Sequence, residues 1–338
     1  MRESGIDVLL VARGDDAGNA GYRYSRCLKL LGLHVRAYKQ RPHELGYPEQ
    51  LPLLPLAPQL MHDAREARVL FFTNSSKWDM GVDLAKKFVV CHHGGTPYRV
   101  GHKNVNAVCN EFVDASIFCT PDLLGLGAAN EHWIANPVDT DTLRPTWRPV
   151  GGKVVIGHFP NRGREYKGTD VIEAVMRRLQ ADPQLCDRFE YVSDESLVPW
   201  HEQMHRYRRC DVLIEACGAQ SPKGYKYGEW GSTALEAAAL GKVVVTSCLH
   251  RELYEQEYGD LALVVANNAW ELDARIKALL ALPTDMFRCT QELTRDWVVK
   301  HHSYPATAKK LADRIFSVPF PHLKGREDGQ GCSADGDV

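Results

Sequence analysis

Apolar residues follow two rhythms along this chain. Ile6 to Val11, Val69 to Thr73, Phe88 to Cys91 and Ile117 to Thr120 are short, nearly unbroken apolar runs. Runs of that kind predict strands covered on both faces. His34 to Tyr38 is a further strand candidate. Between the first two, Tyr24, Cys27, Leu28 and Leu31 recur at i, i+3, i+4 and i+7, the stripe of an amphipathic helix that Gly32 ends. The second half repeats the alternation. Strands are predicted over Lys153–His158, Phe189–Ser193, Asp211–Ala216, Val243–Val245 and Leu261–Val265. A helix carries Val171, Ile172, Val175, Met176 and Leu179 on one face, a shorter one runs from Trp200 to Arg209, and a last stripe holds Ala308, Leu311, Ala312 and Ile315. Strand alternating with helix in both halves predicts two parallel α/β domains, over residues 1–149 and 150–318. Residues 41–65, with five prolines, read as an irregular excursion with one short helix. Residues 319–338, rich in Pro, Gly and charge, read as a disordered tail.

Two glycine-rich stretches interrupt this rhythm. The first, ARGDDAGNAGYR, follows the first strand as a loop with three glycines and holds Gly18 and Asn19. Its spacing is not G-x-G-x-x-G, so a packing turn and a ligand loop both stay open. The second, GYKYGEWGSTALEAAALGKVVVTS over 224–247, reads as loop, short helix and buried strand. Gly228 and Gly231 allow close backbone approach. Ser232 is placed as the N-cap, with Thr233 beside it, and Gly241 closes the helix. A helix start of this sort offers unpaired N–H groups and the positive dipole end to a phosphate. Glu236, one turn in, would repel a phosphate and suits a hydroxyl such as that of a ribose.

Composition narrows the field only slightly. The 338 residues are 44% hydrophobic and 25% charged, with a net charge of −2, as in an ordinary globular protein with no global pull toward nucleic acid or membrane. No apolar run approaches the roughly 20 residues of a membrane helix, and the N-terminus reads as a strand rather than a signal peptide. The ten cysteines form no C-x-x-C pair and lie mostly among apolar neighbours. Reduced core thiols in a cytoplasmic protein are expected.

Five short motifs could carry chemistry. Asn161 to Gly168 (NRGREYKG) directly follows a strand, and its cations Arg162, Arg164 and Lys167 suit a diphosphate, against the reading of a solvated basic loop. HHGGTPYR over 92–99 sits at a strand end. His93 there could hold a hydroxyl or share a proton, or could only pack its loop, with Arg99 nearby. Asp139-Thr140-Asp141 has the D-x-D form of a metal pair, but Asp and Thr in such segments commonly cap turns. His201-Glu202-Gln203-Met204-His205 is a literal H-E-x-x-H, the zinc-hydrolase motif, although its helix stripe puts both histidines on a solvated face. Glu215, at a strand end beside Cys217-Gly218, could meet a nucleotide base or sugar, or be a plain loop carboxylate.

The segment LEAAALGKVVV resembles the donor-nucleotide loop of retaining glycosyltransferases of family 4, which have the GT-B fold: two Rossmann-like domains facing each other across a cleft. Lys167-Gly168 matches the Lys-Gly pair of that family, Arg162 its arginine, His93-Gly94 with Arg99 its His-Gly and arginine, and ANPVDTDTLRP its interdomain segment, with Pro137 in place of a glycine. Gly228 stands where the family often has a second acid, and Glu229 is one residue away. The resemblance implies hexosyl or related glycosyl transfer from a nucleotide-sugar, with retention of configuration and without a metal or other cofactor. Arg162 and Lys167, with His93, would be the catalytic groups. Gly228, Gly231, Ser232, Thr233 and Glu236 would bind the donor, and Arg99, Gly18 and Asn19 would lie on the acceptor side. The acceptor, whether small molecule, glycan, lipid, protein or modified DNA, is not legible. The resemblance also implies that the last helix crosses back to the first domain. A non-catalytic nucleotide-sugar-binding protein and a zinc hydrolase are the rival expectations.

Overall fold

The computed structural model describes residues 5–73, 80–148, 151–160, 163–218 and 229–317. The first half runs β1 (Val8–Ala12), α1 (Ala20–Leu30), β2 (Val35–Lys39), α2 (Ala57–Glu66), β3 (Val69–Thr73), β4 (Phe88–His93), α3 (Gly95–Cys109), β5 (Ala115–Phe118) and β6 (Glu131–Trp133). These strands form one parallel sheet in the order β2-β1-β3-β4-β5-β6. Alternate residues of β1 enter opposite cores. Val8 and Leu10 pack with Tyr24, Cys27 and Leu28 of α1, while Leu9 and Val11 pack with Ala64 of α2 and Cys109 of α3. A strand buried on both faces has no room for polar alternation, which is why these runs are continuous.

The second half runs β7 (Val154–His158), α4 (Arg164–Lys167), α5 (Thr169–Gln180), β8 (Phe189–Ser193), α6 (Trp200–Arg208), β9 (Val212–Ile214), α7 (Ser232–Ala239), β10 (Val243–Thr246), α8 (Arg251–Tyr258), β11 (Val264–Val265), α9 (Ala269–Ala281), α10 (Thr284–His302) and α11 (Tyr304–Leu311). Its sheet is also parallel, in the order β11-β10-β9-β7-β8. The chain leaves β7 toward β8 and then returns to β9 on the other side. The crevice at the carboxyl ends of β7 and β9 is therefore a topological switch point, the usual ligand position of such sheets.

The two sheets are joined twice. Residues 134–148 run from the first to the second, and α10 leads back. Val138 and Ser303 meet in a parallel bridge, and Ala308, Leu311 and Ile315 bury themselves against β1 and α1 in the first core. Gly241, just past α7, has φ +71, and a Cβ there would lie 2.7 Å from Trp147 Nε1, so only glycine lets this connecting segment pack on α7.

Three elements differ from expectation. HHGGTPYR is not wholly a loop: α3 begins at Gly95. Of its residues only Tyr98, Asn106 and Cys109 are buried, so the apolar stripe was too thin to read. The edge strand β6 is three residues long, too short to show a pattern. Ser232 is the first residue of α7 rather than its cap. Gly231 holds the extended cap position, and no side chain caps the helix. Residues 318–338, including the expected disordered tail, lie outside the described residues. Among the described residues no helix is long and apolar enough to cross a membrane.

Candidate functional site

At the switch point the loop after β7 and the loop after β9 are tied together. The buried ring of His158 uses Nδ1 toward Ile214 O at 2.8 Å and Nε2 toward the Thr169 hydroxyl at 2.9 Å. Burial lowers its pKa to about 4, so the ring is neutral and serves as a brace between β7, β9 and α5. Lys167 ends α4. Its carbonyl accepts from Cys217 N–H at 3.1 Å, and its ammonium donates to Glu215 Oε1 at 3.0 Å. The Glu215 side chain is completely buried. Besides Lys167 it takes Gly231 N–H at 3.1 Å on Oε1 and the Thr246 hydroxyl at 3.0 Å on Oε2. Gly231 precedes α7, whose first amides, on Ser232, Thr233 and Ala234, have no carbonyl a turn behind them within the helix. A cation and a helix start thus converge on one place, the arrangement that holds phosphate. Glu215 is therefore an internal tie, neither a base ligand nor a loose loop carboxylate.

Glu236 is buried one turn into α7 and reaches toward the first domain. Arg23 of α1 forms an ion pair with it, and Trp200 Nε1 donates to it at 3.2 Å. Arg23 also donates to Pro137 O at 3.3 Å and lies against the Tyr47 ring. Burial pulls the guanidinium pKa down, but Glu236, together with Tyr47 and Tyr304, more than offsets this, and the net direction is up. Beside the pair, Asn19, Tyr22, Tyr47, Trp200 and Tyr304 line a cavity of about 190 Å³.

The remaining candidates separate. Arg162 and Gly228 lie outside the described residues. Ser232 and Thr233 sit half-buried at the start of α7, with Asn136 Nδ2 3.4 Å from the Ser232 hydroxyl. Arg164 is engaged by Asp170, Glu173 and Glu195, which leaves Lys167 as the described cation facing the α7 start. Glu229 pairs with His250. His93 does not open onto the cleft. Its ring is fully buried, stacked on Phe118 with centroids 5.2 Å apart, 4.7 Å from the Tyr98 ring and 3.3 Å from the Ser116 hydroxyl. Burial, with His92 adjacent, lowers its pKa to about 3. Arg99 lies on α3, clamped by Asp122 and Thr120. Gly18 and Asn19 both take left-handed backbone, and Asn19 Nδ2 donates to Glu49 O at 2.9 Å. Two amides in the first turn of α1 are already filled: Asp16 accepts from Gly21 N–H at 2.7 Å and Tyr22 N–H at 2.9 Å.

The two metal motifs resolve as local structure. Asp139 accepts from the N–H groups of Asp141 and Thr142 and from the Thr142 hydroxyl, the pattern of a capped turn. His201 and His205 are exposed on α6, and no three His, Cys, Asp or Glu side chains gather into a metal site among the described residues. Among the described residues the zinc-hydrolase reading finds no third ligand.

No protein-family model and no curated protein matches the sequence. Solved structures do match over nearly the whole chain. Anabaena HepE in complex with UDP is 14% identical with a TM-score of 0.62, covering 93% of this chain and 100% of that one. Sucrose-phosphate synthase from Thermosynechococcus elongatus is 15% identical with a TM-score of 0.59, covering 92% and 99%. A UDP-forming α,α-trehalose-phosphate synthase from Burkholderia vietnamiensis is 12% identical with a TM-score of 0.56, covering 93% and 98%.

The fold is GT-B. This chain has two parallel sheets with α11 packed back into the first core, and its likeness to those structures over nearly its whole length carries the fold. Sequence reading missed that Arg23 and Trp200 would meet Glu236, and that Glu215 would hold Lys167. Arg23 is 213 positions from Glu236, and no periodicity links them. A buried acid at the end of an otherwise apolar strand was the one available signal for Glu215.

Proposed function

We propose that the protein transfers a glycosyl group from a nucleotide-sugar, with the diphosphate seated between Lys167 and the amino end of α7. The observation that carries this reading is the convergence of the Lys167 ammonium and the Gly231–Ser232 helix start at the β7/β9 switch point. Support comes from the shared fold: one GT-B structure holds UDP and another form of the same protein holds UDP-glucose.

In this reading the glycosidic C–O bond breaks with its electron pair going to the departing diphosphate. Lys167, Arg162 and the α7 amides stabilise the charge that develops there, which makes a metal unnecessary. Glu236 accepts from a ribose hydroxyl with the carboxylate oxygen that Arg23 and Trp200 leave free. The acceptor hydroxyl oxygen bonds to the anomeric carbon on the face the diphosphate leaves and passes its proton to the departing phosphate oxygen, so transfer proceeds with retention. The first domain faces the acceptor, and His93, packed beneath α3, shapes that wall without touching the sugar.

The test is a panel of nucleotide sugars incubated with wild type and Lys167→Ala. Release of nucleoside diphosphate from one donor by wild type, strongly reduced in the variant, is the expected result. Binding without release would make this a nucleotide-sugar-binding protein. Absence of any thermal shift with nucleoside diphosphates would sink the reading altogether.

A further inference from the structure

We infer that Glu215 is an internal counter-anion that holds Lys167 while the site is empty, gives the ammonium up to an arriving diphosphate, and thereby sets how tightly that diphosphate is retained. This rests on the glycosyl-transfer reading above.

Glu215 takes three donors from three separate elements: Lys167 of α4, Gly231 at the start of α7 and Thr246 of β10. One of the three, the Lys167 ammonium, is a group that a bound diphosphate would itself call on, and a second, the Gly231 N–H, lies next to the α7 amides it would use. The partners differ in freedom. The Glu215 side chain has no exposed surface, whereas that of Lys167 is 27% exposed on a four-carbon stem. Lys167 can turn toward a ligand, and Glu215 cannot follow. A buried carboxylate stripped of every partner is strongly unfavourable. Here the Gly231 N–H and the Thr246 hydroxyl stay behind, so only the ion pair is exchanged. The diphosphate then sits one ammonium away from a fixed, buried negative charge, and this repulsion, little screened by water, loosens its hold. For a transferase the consequence is release: the same cation that steadies the leaving group does not trap the product. A carboxylate that merely positioned Lys167 would act in the opposite direction, since its loss would weaken binding.

Glu215→Gln separates the two. The amide keeps the shape, its oxygen still accepts from Gly231, and the Thr246 hydroxyl can reverse to accept from its NH2 group. Calorimetric titration of wild type and Glu215→Gln with UDP, uridine and inorganic pyrophosphate should show UDP and pyrophosphate bound about tenfold more tightly by the variant, about 1.4 kcal/mol, with uridine unchanged. Unchanged or weaker UDP binding in the variant, or an equal change for uridine, overturns the inference while leaving the function reading intact. Failure of both proteins to bind UDP or pyrophosphate overturns both. If the variant does not fold, a crystal structure of the wild-type UDP complex decides: Lys167 Nζ on a phosphate oxygen, with Glu215 still on Gly231 and Thr246, supports the exchange, and Lys167 still on Glu215 refutes it.

Discussion

Two helices in this chain, α1 and α7, begin after a strand and a glycine loop, and they put their amino ends to opposite uses. At α1 the Asp16 carboxylate, fully buried, takes the N–H groups of Gly21 and Tyr22. A Cβ on Gly21 would lie 3.0 Å from Asp16 Oδ1 and 3.1 Å from Leu10, so the glycine admits the carboxylate rather than a ligand. At α7 the chain's own anion, Glu215, takes only the cap amide of Gly231, and among the described residues no side chain caps the next turn, which starts beside a lysine. A helix start is a phosphate site only where the protein has not already filled it. The two helices then meet, because Arg23 of α1 pairs with Glu236 of α7.

The largest effect should come from cutting that meeting point. Arg23→Met leaves Glu236 buried without its cation, and removal of one partner of a buried pair costs about 3–5 kcal/mol. Urea unfolding should show this loss, and adding Glu236→Gln should recover part of it. A single variant as stable as wild type would mean that the pair does not join the domains energetically.

Next is the filled start of α1. Burial pushes the Asp16 pKa from 3.8 up to about 6, against the opposing pull of the Tyr22 and Gly21 N–H groups. A raised carboxylate contributes its stability in full below pH 3.8 and loses it as pH climbs through 6. The span corresponds to about 3 kcal/mol. Asp16→Asn cannot titrate, so it should gain about that much on wild type between pH 4 and pH 7. The difference between the two proteins is the quantity to measure. Buried His92 and His93, lowered by burial to about 4 and about 3, work the other way in both, losing stability as pH falls below 6.5. A pH-independent difference would show that Asp16 titrates normally.

At the open start of α7, Lys167→Ala should lose one charge-assisted contact, about 1.5–3 kcal/mol of UDP affinity, with uridine binding unchanged. Equal losses for the two ligands would remove the diphosphate from this site. The smallest effect concerns capping. Ser232 makes no cap bond, so Ser232→Ala should change stability by less than about 0.5 kcal/mol. Asn268, which accepts from Glu271 N–H at 3.0 Å at the start of α9, should cost about 1 kcal/mol as Asn268→Ala. Matching costs in thermal unfolding would restore Ser232 to the cap.

Much of this was visible in the chain itself. The apolar runs of β1, β3 and β7 mark strands buried on both faces, and the stripes of α1 and α5 mark helices lying on them, because burial of a continuous face is a local property of sequence. Lys167-Gly168 and the helix start after Gly231 were visible for a similar reason: each is a short motif in the segment that leads from a strand to a helix. What tertiary structure alone decided is which polar groups meet. His93 ends β4 and Lys167 ends the short helix that follows β7, yet one is sealed between Phe118 and Tyr98 while the other faces a helix start. Asp16, Glu215 and Glu236 look alike as acids beside glycine loops, and their partners come from five, sixteen and 213 positions away. A carboxylate's role depends on the charge and donors that surround it within a few ångströms, and that neighbourhood is assembled only when the two sheets, α1 and α7 close on one another.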